Sequence, residues 1–168
     1  CSVRINPLKN YQEVDELAIR IVNLLPPGKD EVFKSFCQRA LITILQVLDL
    51  MSDNPTLLKL RKLIDEDPNK LLARVGLFWL ARFPHTNKYV ESLKSEDYLV
   101  TAREFIKLYD NLLQEEQHHD AIDSLIAISQ YNQEHYKKLI LQIIPLLTIL
   151  TNGPLKDLLS PDPTDDDP

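Results

Sequence analysis

Apolar residues recur at intervals of three and four along nearly the whole of this 168-residue chain. That is the period of one helix face, and no stretch alternates apolar and polar long enough to argue a strand. Leucine is the commonest residue and outnumbers valine and isoleucine together, which favours helix further. Glycine is nearly absent, with only Gly28, Gly76 and Gly153. Those three cannot spell GxGxxG or GxxxxGK[ST], so the chain builds no glycine cradle for a phosphate. The expected fold is all-α: a compact orthogonal or irregular bundle of about seven helices. The length suits one domain with a sizeable core, and an apolar fraction of 44% is too high for disorder.

The individual helices follow from stripes and breakers. Pro7 keeps Asn6 out of the α region, so the chain opens extended or in a turn. Val14, Leu17, Ala18, Ile21, Val22 and Leu25 predict a first helix over about 12–25, ended by Pro26-Pro27-Gly28. Asp30 is the expected N-cap of a second helix. Its apolar set, from Phe33 and Phe36 through Cys37, Ala40, Leu41, Ile44, Leu45, Val47 and Leu48 to Met51, is broad enough for a central helix. Asn54-Pro55 and Asp67-Pro68 read as N-cap and N1 of a third and a fourth. Leu72, Val75, Trp79 and Phe83 line the fourth, and Pro84-His85-Thr86 is expected to break it.

A short helix is expected over 87–93. Ser95 is expected to cap a long one with Tyr98, Leu99, Ala102, Phe105, Ile106, Tyr109, Leu112 and Leu113 inward. Ala121, Ile122, Leu125, Ile126 and Ser129 form the next stripe. The last long helix runs over about 133–150 with Pro145 inside it, which removes one backbone bond and predicts a kink. Asn152-Gly153-Pro154 is a stop, and Leu155, Leu158 and Leu159 suit one further turn. The apolar run over 139–150 is too short to cross a membrane.

The domain is expected to span 1–160, with 161–168 an acidic linker: the end of the chain has no apolar residue and four Asp. The start at Cys1, without Met or a signal-peptide pattern, suggests a segment of something longer. Cys1 and Cys37 make neither a disulfide framework nor a CxxC pair, so a reduced intracellular setting is expected.

The net charge of −6 hides blocks. Residues 59–94 carry eight basic and four acidic side chains, and residues 95–135 carry two basic and nine acidic. Four of the six net negative charges lie in the last eight residues, so the body is only −2. A stand-alone nucleic-acid binder is usually basic overall, and this chain is not.

Chemistry-bearing residues are sparse. Glu115 with His118, or Glu116 with His119, gives an ExxH spacing. A carboxylate-bridged metal bundle needs a second such motif, which the chain lacks, so a polar helix end is the plainer reading. Cys37 shares a face with Phe33, Ala40 and Leu41, where a thiol is inert. Trp79 belongs to the core stripe of its helix, and no Ser sits in a GxSxG elbow. No catalytic, metal or cofactor site is expected in this segment.

The basic block offers a surface instead. Lys59 and Lys62 share a helix face with Arg61 nearby, and Lys70 and Arg74 project opposite Leu72, Val75 and Trp79. These five are candidates for contact with DNA phosphate or an acidic partner. Solvation with local pairing to Asp65, Glu66 and Asp67 is the plainer alternative. Glu96, Asp97, Glu104, Glu115, Glu116, Asp120 and Asp123 are candidates for contact with a basic partner.

Several segments resemble the TraD/TraG-like coupling proteins of conjugative type IV secretion systems. Ile5-Asn6-Pro7-Leu8-Lys9-Asn10-Tyr11, followed by Glu16-Leu17-Ala18 and Arg20-Ile21, is similar to the Asn-Pro opening and ELAxRI helix of that family. Leu24-Leu25-Pro26, Phe33-Lys34-Ser35-Phe36 and Pro55-Thr56-Leu57-Leu58-Lys59-Leu60-Arg61 continue it. Ile144-Pro145-Leu146-Leu147, Leu150-Thr151-Asn152-Gly153 and Leu158-Leu159-Ser160-Pro161-Asp162 resemble it most. The middle, about 89–133, carries little of the resemblance, and none of the motifs is catalytic.

The resemblance implies the all-α domain of such a protein, inserted in a membrane-anchored, hexameric motor ATPase. The Walker motifs, with ATP and Mg, would lie outside this segment, which would not be an enzyme. The two ends would lie close together, leading back into the parent. The implied location is the bacterial cytoplasm at the face of the inner membrane, with no membrane contact by the domain itself. The implied role is recognition of the relaxosome: relaxase, accessory proteins and possible direct contact with DNA. A structural insertion that spaces or stabilises the hexamer is the alternative.

Overall fold

The computed structural model describes residues 11–25, 31–53, 57–131 and 133–152. The described residues are helical, without strands, as the periodicity predicts. They contain nine α-helices, against about seven expected; two of the nine, at Pro84–Asn87 and Val90–Leu93, are single turns. None is long and apolar enough to cross a membrane. The two ends of the chain, the linker over 161–168 and the Asp30, Asn54-Pro55 and Leu155–Leu159 expectations lie outside the described residues.

The chain divides into two compact units. The first takes the described residues up to Asp65 and those from Gln133 onward; the second takes Glu66 to Tyr131.

The first unit has α1 (Tyr11–Asn23), α2 (Glu31–Leu50), α3 (Leu57–Asp65) and α9 (Gln133–Asn152). Ala18, Ile21, Val22 and Leu25 bury one side of α1 and the residues just after it. α2 packs on α1, α3 and α9, and this explains its broad apolar face. Phe33, Phe36, Cys37, Ala40, Leu41, Ile44, Leu45, Val47 and Leu48 are all buried, and Met51 is half-buried. Leu139, Ile143 and Leu147 form the buried side of α9, and His135 meets the Phe36 ring edge-on at 5.3 Å. The Tyr136 hydroxyl donates to the Ile64 carbonyl at 3.0 Å, satisfying an acceptor at the end of α3 that has no partner within the helix. Pro145 sits inside α9, which continues to Asn152.

α2 ends in a way the sequence concealed. Ser52 adopts φ 55, the left-handed region. The Ser52 N–H donates to the Asp49 carbonyl at 2.9 Å and the Asp53 N–H to the Leu48 carbonyl at 3.0 Å. This is a Schellman closure, a position where glycine is usual. Here serine takes the strain.

The second unit has α4 (Pro68–Leu80), α5 (Pro84–Asn87), α6 (Val90–Leu93), α7 (Tyr98–Leu112), a 3-10 turn at Glu115–Gln117 and α8 (Asp120–Tyr131). Asp67 and Pro68 cap α4 as expected: the Asp67 carboxylate accepts from the Asn69 N–H at 2.9 Å. Pro84 does not simply break the chain. It is the first residue of α5, because fixed φ and a missing N–H suit an N1 position. Thr86 and Asn87 then close α4, donating to the carbonyls of Leu80 and Ala81 at 2.7 Å each. The expected helix over 87–93 is shortened to α6, since Asn87 completes α5.

α7 is capped by Asp97, not Ser95. The Asp97 carboxylate accepts from the Leu99 N–H at 2.9 Å, while Ser95 Oγ accepts from the Asp97 N–H two residues too early. Ala102, Phe105, Tyr109 and Leu113 are buried as expected, but Leu99 and Leu112 are 43% and 38% exposed. Thr101 is buried instead, its hydroxyl donating to the Leu93 carbonyl at 2.8 Å. α4 and α7 run in the same direction, with Asp67 beside Tyr98 at their starts and Gly76 against Phe105 further along. A Cβ on Gly76 would lie 2.5 Å from Phe105 Cγ, so the absent side chain is what lets the two helices meet.

Candidate functional site

The five basic candidates divide between the units. Lys59, Arg61 and Lys62 lie on α3 of the first; Lys70 and Arg74 lie on α4 of the second. The Lys59 ammonium meets Asp53 Oδ1 at 2.6 Å, just after the Ser52 closure. Arg61 is half-buried and Lys62 exposed, beside an α3 core side made by Leu60 and Ile64.

On α4 the expected geometry holds. Lys70 and Arg74 are exposed, and Leu72, Val75 and Trp79 are buried on the other side. The stripe is longer than those two residues. Phe78 and Arg82 follow at the same four-residue spacing and are also exposed. The Arg82 guanidinium lies over the Trp79 ring, 4.6 Å from its centroid, which holds that charge at the helix end. At the other end, Lys70 Nζ is 6.0 Å from the Tyr98 ring centroid. The Tyr98 hydroxyl donates to Asp67 Oδ2 at 3.1 Å, and that bond raises its pKa above the ordinary tyrosine range. The sequence pointed to Lys70 and Arg74 only; Phe78 and Arg82 continue their four-residue spacing.

The seven acidic candidates all lie in the second unit, and they are not equivalent. Asp97 is the α7 cap, and Asp123 accepts from the buried Tyr109 hydroxyl at 2.7 Å. Glu104 pairs with Lys107 at 3.2 Å along α7. Glu96, Glu115, Glu116 and Asp120 are exposed.

The ExxH spacing falls on the 3-10 turn and the residues after it, not on an α-helix. His118 stacks on the Tyr109 ring, with centroids 4.1 Å apart, and its Nε2 donates to the Tyr109 carbonyl at 2.9 Å. His119 Nδ1 accepts from the Ala121 N–H at 3.1 Å, and its ring meets Trp79 edge-on. The Tyr109 hydroxyl accepts from the His119 N–H at 2.7 Å, and Trp79 Nε1 donates to the Gln117 carbonyl at 2.7 Å. These side chains knit the α7–α8 connection to α4 and α7. Burial, with Asp123 beside it, holds the Tyr109 phenol well above its ordinary range. Among the described residues there is no group of three or more His, Cys, Asp or Glu able to hold a metal ion. Cys37 is wholly buried, and burial pushes its thiol up to about 12.

The chemistry this arrangement offers is therefore electrostatic and apolar contact along the outer side of α4, with exposed carboxylates elsewhere in the same unit. No family model matches the chain, and no curated protein or solved structure matches it either.

Proposed function

We propose that this chain is the substrate- or relaxosome-recognition helical domain of a conjugative coupling protein, acting by binding and not by chemistry. The parent would be a hexameric DNA-pumping ATPase at the cytoplasmic face of the bacterial inner membrane, supplying ATP and Mg from motifs outside this segment. The ordered resemblance at both ends of the sequence suggests the family. The observation that carries a binding role is the outer side of α4. Lys70 and Arg74 stand exposed on it, opposite a buried apolar face.

The test pairs two assays on the same protein. A pull-down with the cognate relaxase and accessory proteins reads protein recognition. A DNA mobility shift at about 50 mM and about 200 mM salt reads phosphate contact, which weakens steeply between the two. Reversing Lys70 and Arg74 to Glu is expected to reduce capture and conjugative transfer with helicity unchanged. Undiminished capture and transfer would sink the recognition role.

The structural insertion is the second reading, and one observation favours it. Asp97, Asp123 and Glu104 bond within the unit, so part of the acidic block serves the fold. It expects charge reversal on α4 to leave transfer unaltered.

A further inference from the structure

We infer that the stripe Lys70–Arg74–Phe78–Arg82 docks an acidic amphipathic helix of a protein partner; this rests on the binding role proposed above and names the class of partner. Each step of four residues rises about 6 Å and turns only about 40°, so Lys70, Arg74 and Phe78 extend about 12 Å along one side of α4, and Arg82 lies just beyond its last residue, Leu80. A second helix has the same rise. Acidic residues spaced i, i+4 on it therefore meet successive cations without strain, in the way facing rows of side chains match between packed helices. Phe78, 38% exposed between the second and third cations, supplies the apolar anchor that such a helix needs. Arg82 is held in place by the Trp79 ring and Lys70 lies near that of Tyr98, so less side-chain freedom is lost on docking.

A nucleic-acid strand fits less well. Residues 66–132 carry seven basic and eleven acidic side chains, a formal −4, which opposes a long polyanion more than a short peptide. A strand continuing past Lys70 would also meet the Asp67 carboxylate, with Glu96 and Asp97 preceding Tyr98. A helix of about three turns ends where the stripe ends.

The probe is an alanine-based peptide of about 18 residues with Glu at i, i+4 and i+12 and Leu at i+8, long enough to be partly helical alone. Its reversed sequence covers the antiparallel docking. A scrambled peptide of equal composition, whose acids share no face, is the control, beside a thymidine oligonucleotide of about 20 nucleotides. Binding to the full chain is read by fluorescence anisotropy. One of the two patterned peptides is expected to bind at least about tenfold tighter than the scramble. Phe78→Ala should remove most of that preference, and Lys70→Gln with Arg82→Gln should remove it without disturbing the core. Equal binding of patterned and scrambled peptides, or none, overturns the inference. Tighter binding of the oligonucleotide through the same residues also overturns it, while leaving the recognition role intact. That role fails separately, when capture of the cognate relaxosome survives charge reversal.

Discussion

The Tyr109 hydroxyl gives its proton to Asp123 Oδ1 at 2.7 Å while accepting the backbone N–H of His119 at the same distance. One side chain of α7 thereby fixes both the first turn of α8 and the connection leading into it. Tyr109→Phe deletes the donor and leaves the His119 N–H and the Asp123 carboxylate short of a partner. The expected loss is about 1–3 kcal/mol in urea denaturation, because a hydrogen bond to a charged group is worth more than a neutral one even where, as at Asp123, the carboxylate is exposed.

The same phenol gives the pH dependence its sign. Its folded-state pKa is raised, so its proton is held more tightly folded than unfolded. The associated stability is complete below the ordinary tyrosine value, about pH 10, and is lost as pH rises through the folded value. Wild type should therefore lose stability more steeply than Tyr109→Phe between about pH 9 and about pH 11. Parallel curves would remove Tyr109 as the cause.

Gly76→Ala sets two effects against each other. Alanine gains about 1 kcal/mol of helix propensity over glycine. The added Cβ meets Phe105, whose ring is wholly buried and cannot withdraw, and overpacking of this kind costs about 1–3 kcal/mol. A net loss is expected in thermal unfolding. Adding Phe105→Leu should recover part of it, so that the two changes are not additive.

Ser52→Gly should stabilise the chain. Relief of a left-handed non-glycine residue is worth about 1–2 kcal/mol. The greater freedom of glycine in the unfolded chain costs about 0.5–1 kcal/mol. A gain of about 0.5–1 kcal/mol remains, read as a higher denaturation midpoint with unchanged slope. A fall in the midpoint would show that the Ser52 side chain contributes something else.

Cys37 should resist thiol reagents while the fold persists. Its thiolate is scarce with the pKa near 12, and the sulfur is wholly buried. In a Cys1→Ser background at about pH 8, labelling should run at least about 100-fold slower than in denaturant and follow global opening. Fast labelling without denaturant would contradict the buried position.

Much of the fold was legible in the residues because helix period and caps are local. Asp67-Pro68 marked α4 correctly, and the wide face of α2 announced a central helix, which packs on α1, α3 and α9. The losses have physical causes. Ser95 and Asp97 both suit an N-cap, and only which carboxylate or hydroxyl reaches the Leu99 N–H decides between them. Pro84 carries a stop signal and a start signal at once. Leu99 and Leu112 sit at the ends of α7, where a helical stripe runs past the edge of its neighbours. The α4 site was half legible: charge spacing showed Lys70 and Arg74, but the exposure of Phe78 and the seat of Arg82 on Trp79 depend on packing.

The bond from Tyr136 to Ile64 spans 72 positions of the chain. On a ribosome, α1, α2 and α3 emerge long before α9, and their apolar sides wait uncovered until it is made. The second unit is continuous in sequence, and its helices can close as they leave the exit tunnel. Such distant pairing is the slow step of folding, since the loop must be closed before the contact rewards it. The interval before α9 docks is thus when a nascent chain of this protein is most exposed to aggregation and most in need of a chaperone.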